Sequence, residues 1–312
     1  MSVTLGDHGS LGDHGSLGGN GAVPVKTAPS GFTPLSRRRT ITDDAVRILV
    51  LGSVLLALVP LVWLAVTLIS KGIGPILDLE WWTRPQIRGG AGNAIIGTLI
   101  QTALAAIISV PVGIFVAIYL VEYSDRKSAT ARATTFMVDI LSGVPSIVAA
   151  LFVYAAWRTT LGMERSGFVV AIALVLLMVP LVVRSTEEML KIVPQDLREA
   201  SYALGIPKWK TIARIVLPTA LSGIITGVML AIARVMGESA PVLILVGSTR
   251  AVNWNPFDGS QQSLPLMMVQ EYGKGPGAFD NVWGAALTLV ILVAIIYFGA
   301  KVVSKVFSPK QS

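Results

Sequence analysis

Residues 219–247 read TALSGIITGVMLAIARVMGESAPVLILVG, and only Arg234 and Glu238 in this stretch are ionisable. A helix this long and apolar can cross the ~30 Å hydrocarbon core, which takes about 20 residues. A charge near its centre costs roughly 2.5–3.5 kcal/mol even on the mildest insertion scale. The stretch therefore raises two questions: whether the chain is a membrane protein, and what two charges do inside it.

Composition answers the first. The chain is 53% hydrophobic and only 14% charged, against about 25% charged in a soluble domain. Apolar stretches near 48–69, 94–121, 135–157, 167–185, 220–247 and 282–303 are each long enough, or nearly so, to span. The reading is an all-α polytopic membrane protein with six transmembrane helices. Loops rich in Lys and Arg stay cytoplasmic. With the amino terminus inside, 17 of the 25 Lys and Arg residues fall in inner segments and seven in outer ones, with Arg234 within the membrane. Both termini are thus expected in the cytoplasm, in a multi-pass protein of the cytoplasmic (inner) membrane. The net charge of +7 follows from this topology and does not argue for nucleic acid.

Residues 1–44 read as a disordered cytoplasmic tail, rich in Gly and Ser, with LGDHGS twice in tandem at 5–10 and 11–16. Such a segment buries too little apolar surface to offset its ordering entropy. Its His8 and His14 are the only histidines, and there is no cysteine, which removes disulfide and thiol chemistry. Residues 45–307 form the transmembrane domain and 308–312 a short cytoplasmic tail. Arg37, Arg38 and Arg39 precede the first span, which is itself the expected insertion signal.

Prolines punctuate the spans at Pro60, Pro111, Pro145, Pro180 and Pro241, and small residues accompany them in LSGVPSIVAA (141–150) and SGIITG (222–227). Proline removes a helical hydrogen bond and kinks the helix, and small residues allow close approach. Bent, closely packed helices suit a bundle that rearranges. Asp139, about one turn inside the third span, reads as structural. Outer segments are short apart from 70–93 and 248–281, where Trp81 and Trp82 suit a membrane interface. Neither could form a sizeable soluble domain, so capture of a solute outside would fall to another protein.

The inner segment VPQDLREASYALGIPKWKTIARIVLP, 193–218, reads as two short helices. Asp196 is an N-cap candidate, and Leu197, Ala200 and Leu204 make an apolar stripe at helical spacing. Gly205 supplies a left-handed closing residue before Pro207. A second segment with Trp209, Ile212 and Val216 ends at Pro218. The residues alone leave open protein docking and a lipid-surface helix.

Glu199-Ala200-Ser201, three residues, Gly205, nine residues, then Ile215-Val216-Leu217-Pro218 resembles the EAA loop of type I bacterial ABC importer permeases. Ser201 stands where Ala is usual, and both are small. ARVMGESAPVL (233–243), SGVPSIV (142–148) and SLP (263–265) are similar to the PstA-type permease of phosphate-specific ABC importers, with Ser239 in place of a usual Thr. The resemblance implies a type I importer permease bundle paired with a PstC-type permease. It also implies two PstB-type ATPases, a PstS-type phosphate-binding protein and inorganic phosphate as the solute. Asp196, Leu197, Glu199, Ala200, Ser201, Leu204 and Gly205 would couple to the ATPase. The chain has no GxxxxGK[ST] phosphate loop, so it is expected to be non-catalytic and without a cofactor, ATP and magnesium being bound by the partner.

Arg234, Glu238 and Ser239 are then candidates for the solute path. Thr219 to Arg234 is ~22 Å of helix, and intramembrane charges usually face a bundle interior or a watery cavity. A guanidinium matches an oxyanion in bidentate fashion, and Glu238, one turn on, would hold it between passages. An i,i+4 helix pair contributes only ~0.2–0.5 kcal/mol, too little to offset burial; a pair joining two permease subunits stays open. The same loop would serve an importer of sulfate, molybdate or another small solute, whereas a channel would not need it.

Overall fold

The computed structural model describes residues 37–125 and 128–307. The LGDHGS repeats, His8, His14, the pair at 126–127 and the tail 308–312 lie outside the described residues. In chain order the helices are α1 (Arg37–Ile76), α2 (Leu79–Thr83), α3 (Gly92–Ile118), α4 (Ala129–Gly143), α5 (Ser146–Tyr154) and α6 (Gly167–Ile192). Then follow α7 (Gln195–Ala203), α8 (Lys208–Thr211), α9 (Leu217–Met236), α10 (Ala240–Leu245), α11 (Leu264–Gly273) and α12 (Phe279–Phe307). There is no strand among the described residues.

The chain divides into two units, 1–58 and 59–312. The described part of the first is the opening of α1, whose apolar side chains, such as Leu49 and Leu56, are exposed. Helix begins at Arg37, inside the stretch assigned above to the tail. Once an apolar segment has nucleated a helix, extending it over flanking residues is inexpensive.

In the second unit α6 is the axis, with Met178, Val182, Val183 and Leu190 fully buried. It packs along α3 on one side and α9 on another, and α9 packs on α12. The small-residue run at 222–227 sits at one of these contacts. A Cβ on Gly227 would lie 2.5 Å from Cβ of Ser185, so only glycine lets α9 approach α6 this closely.

Among the described residues five helices are long and apolar enough to cross a membrane, and the pair α4–α5 gives a sixth if it is one span. That third span is not continuous: α4 and α5 meet at 104°. Pro145 drives Val144 into an extended conformation (φ −69°, ψ 125°), as proline does to the residue before it. The pair still runs the length of α6. Asp139 of α4 pairs with Arg184 near the inner end of α6, and Trp157 beyond α5 meets Phe168 at its outer end, ring centroids 6.0 Å apart. These contacts at both ends of α6 fit one broken crossing, which brings the candidate spans among the described residues to six. Asp139 thereby ties α4 to α6, and the same arginine also donates to Glu187 Oε2 at 2.8 Å.

Trp81 corrects the interface reading. It is buried and donates its indole N–H to Thr288 Oγ1 at 2.9 Å, as a core tryptophan must find a partner. Trp82, half-buried, donates to the Ile76 carbonyl. Outside the spans, Glu271 of α11 is buried. Burial pushes its carboxyl up, but hydrogen bonds from Lys274, Gln86 and Asn281 outweigh this and hold it below the ordinary carboxylate range. Glu271 is therefore a satisfied anchor for the outer segments.

Orientation is open to a direct test. A cysteine replacing Asp258, exposed in the 248–263 segment, is expected to react with a membrane-impermeant thiol reagent in intact cells. One replacing Lys208 should react only after the membrane is opened. The reverse pattern would place α7 outside and overturn any coupling role for it.

Candidate functional site

Two places concentrate the candidate residues. The first is α7. Pro194, not Asp196, occupies its N-cap, and Asp196 lies in the first turn, where a carboxylate favours the positive end of the helix. Proline at the cap leaves no side-chain acceptor, so the first-turn acid takes over the electrostatic part of that task. The other end closes as expected. Gly205 adopts φ +74°, its N–H bonds the Tyr202 carbonyl at 2.9 Å, and Ile206 N–H bonds that of Ser201 at 3.2 Å. These two bonds are the 5→2 and 6→1 pair of a Schellman closure. The expected second short helix is not separate. From Lys208 the chain runs as one helix to Met236, with a π turn at Ile212–Val216 just ahead of Pro218. There Leu217 N–H reaches back to the Ile212 carbonyl, and the wider turn absorbs the proline in place of a break.

Leu197, Ala200 and Leu204 are all exposed, with Leu204 at 80%. Glu199 and Asp196 flank them in solvent. Arg198 and Ser201 face the other way and are buried. Ser201 Oγ lies 2.7 Å from Thr211 Oγ1, which ties α7 to α8. Arg198 was not singled out from sequence, and it is the anchor of the element. Its Nη2 and Nε donate to Glu122 Oε1 at 2.8 and 3.1 Å, and it also donates to the carbonyls of Val193 at 2.6 Å and Leu190 at 3.0 Å. Those carbonyls belong to the end of α6, where helical acceptors lack partners. Glu122 lies in the π turn that prolongs α3. One guanidinium thus joins α7 to two spans. The only local signal was its offset from the Leu197–Leu204 stripe.

The second place is the outer end of α9. Residues 219–247 do not form one helix: α9 stops at Met236, Gly237 caps it, and α10 starts at Ala240. Pro241 cannot donate to a carbonyl four residues back, which makes continuation costly. Arg234 therefore lies in the last helical turn and Glu238 in the break. The two make no ion pair, because the i,i+4 geometry that would join them is absent. The Arg234 side chain is exposed and has no hydrogen bond or ion pair among the described residues. Glu238 and Ser239 are half-buried beside it in sequence. The negative end of the helix dipole favours a cation by ~0.3–1 kcal/mol, less than the insertion cost, so the dipole alone does not account for it. α5 and α10, the segments that follow the two breaks, pack on each other. Discontinuous spans are a recurrent way to build a solute site inside a membrane.

The architecture is shared with solved importers. The chain superposes on a chain of a bacterial ABC transporter involved in the import of the acidic polysaccharide alginate, with TM-score 0.62, 13% identity, and 87% of this chain and 99% of that one covered. It also superposes on the inward-facing MetNI methionine ABC transporter, with TM-score 0.56, 21% identity, 72% and 96% covered. At such identities the likeness concerns the fold. Residues 109–312 match the family described as binding-protein-dependent transport system inner membrane component. The phosphate transport system permease protein PstA of Mycobacterium leprae is 53% identical, over 86% of this chain and 90% of the relative. The chain belongs to the PstA family of permeases. PstA 1 of Mycobacterium tuberculosis (strain ATCC 25618 / H37Rv) is 50% identical, covering 90% and 92%. As a PstA-family permease, the chain is a multi-pass protein of the inner membrane with the helical bundle of type I importers.

Proposed function

We propose that the chain is the transmembrane subunit of an ATP-driven inorganic phosphate importer, forming half of the translocation path. The phosphate transport permeases at 50–53% identity support the substrate. The observation that carries the mechanism is Arg234, a guanidinium inside the membrane segment with no side-chain partner among the described residues. An oxyanion crossing a low-dielectric barrier needs such a cation, and fixed positive charge acts strongly where water is scarce. Glu238 and Ser239, at the break, would border the same passage. The other half of the path would come from a PstC-type permease, and a PstS-type protein would deliver phosphate.

Energy would come from two PstB-type ATPases, which bind ATP and magnesium and carry out hydrolysis. The exposed stripe of α7 suits docking into a groove on such a subunit, and Arg198 would pass its displacement to α3 and α6. Gly205→Val tests this cleanly, because a Cβ there meets nothing within 4 Å. Within the subunit itself the effect then comes from the left-handed backbone, which a β-branched residue tolerates poorly. The expected outcome is an inserted subunit whose phosphate uptake and stimulated ATP hydrolysis are both abolished. Normal transport by an assembled Gly205→Val complex would rule out this docking geometry.

The substrate is tested by uptake of radiolabelled phosphate into proteoliposomes holding the complete complex. Arsenate should compete and sulfate should not. Competition by sulfate or molybdate instead would assign the chain to another oxyanion.

A further inference from the structure

The inner half of α9 bears a feature that the passage at Arg234 does not use. Between α9 and α12 lies a groove of about 300 Å³. Ile225, Met229 and Tyr297 give it apolar walls, and Ser222, Thr226, Lys301 and Lys305 supply its polar lining, the Thr226 hydroxyl being committed to the Ser222 carbonyl. The Ser222 hydroxyl makes no hydrogen bond within the described residues. Lys301 lies 6.0 Å over the Tyr297 ring, and neither lysine pairs with a carboxylate among the described residues. No acid occurs in α9, and the only one in α12 is Asp280 at its opposite end. The groove therefore holds two uncompensated ammonium groups and a free hydroxyl, which together suit a tetrahedral oxyanion.

Its position links it to Arg234. The exposed residues of α9 include Thr219, Ser222, Thr226, Leu230 and Arg234, which recur every three or four positions and share one face. Four of these five are polar. The exposed residues of α1 include Leu49, Leu56 and Trp63, the composition of a lipid-facing surface. A polar stripe on a spanning helix instead faces water or another protein. Ser222 is about 18 Å along α9 from Arg234, toward the cytoplasmic end.

We propose that Ser222, Lys301 and Lys305 form a second phosphate station at the inner end of the path, holding the anion that has passed Arg234 before it leaves. This rests on reading the exposed face of α9 as path. The probe is inorganic phosphate, used with the complex assembled with its partner subunits. Lys301→Gln/Lys305→Gln is expected to weaken phosphate binding to the nucleotide-free complex roughly tenfold, the scale of losing two charge-assisted contacts. It should lower kcat of uptake and leave KM unchanged, since capture occurs on the other face. Lys301→Arg/Lys305→Arg should keep binding, and Ser222→Ala should weaken it with no effect on assembly. Unchanged binding in the Gln variant would overturn the station. So would a lysine effect seen in phosphatidylglycerol but not phosphatidylcholine membranes, with retained phosphatidylglycerol seen by native mass spectrometry. That result would assign the groove to a lipid headgroup. Loss of uptake in Arg234→Gln with normal lysine variants would reject the station alone. Normal behaviour of both would reject the path itself.

Discussion

Arg234→Gln is expected to reduce phosphate uptake at least tenfold while the complex still assembles and retains basal ATP hydrolysis. Glutamine keeps hydrogen-bond donors and much of the volume but removes the charge. A factor of ten corresponds to ~1.4 kcal/mol of barrier, a small share of what a cation contributes to an anion in a poorly hydrated passage. Assembly should survive because the side chain has no partner among the described residues to lose. Glu238→Gln should do less harm, since the two residues are unpaired and the carboxylate lies in the break beyond α9. The rival account is a charge holding two permease subunits together. It requires that Arg234→Gln lower recovery of the assembled complex in step with uptake. The charge swap Arg234→Glu/Glu238→Arg also separates the accounts, and it should not restore transport. Uptake at the wild-type rate in Arg234→Gln would end the path reading.

Arg198→Met should abolish coupled transport for a different reason. It leaves Glu122 buried without its partner and strips two carbonyls at the end of α6 of their donor. Breaking a buried pair from one side typically costs about 3–5 kcal/mol, enough to release a nine-residue helix held by few other bonds. Arg198→Lys should also fail, since a single ammonium cannot span the carboxylate and both carbonyls in the guanidinium's forked geometry. Glu122→Gln should be milder, because the amide oxygen still accepts from Arg198. The measurements are uptake, stimulated ATPase activity and protease sensitivity of residues 193–206. Cleavage in that segment should rise in Arg198→Met and remain low in Glu122→Gln. Full uptake by Arg198→Met would show that α7 is held by other means.

The amino-acid sequence by itself determined the class of the protein and the approximate places of its spans. Transfer of some twenty apolar residues into hydrocarbon is a sum over neighbours in sequence, so hydropathy reports it without knowledge of the fold. It also determined the closure of α7, because φ +74° at Gly205 is a preference of one residue in its own turn. The EAA-like spacing and the exposed Leu197–Leu204 stripe were legible for the same reason. Only the tertiary structure decided where spans break. Pro60, Pro111 and Pro180 lie inside unbroken helices, whereas Pro145 and Pro241 sit just past interruptions. A proline looks alike in sequence whether neighbouring helices hold its turn together or a loop takes over. Trp81 turned inward to Thr288, and Arg198 found Glu122, across 207 and 76 residues respectively. No local period encodes such partners. The separation of Arg234 from Glu238 belongs with these, since four residues place two side chains on one face only while the helix between them persists, and here it ends at Met236.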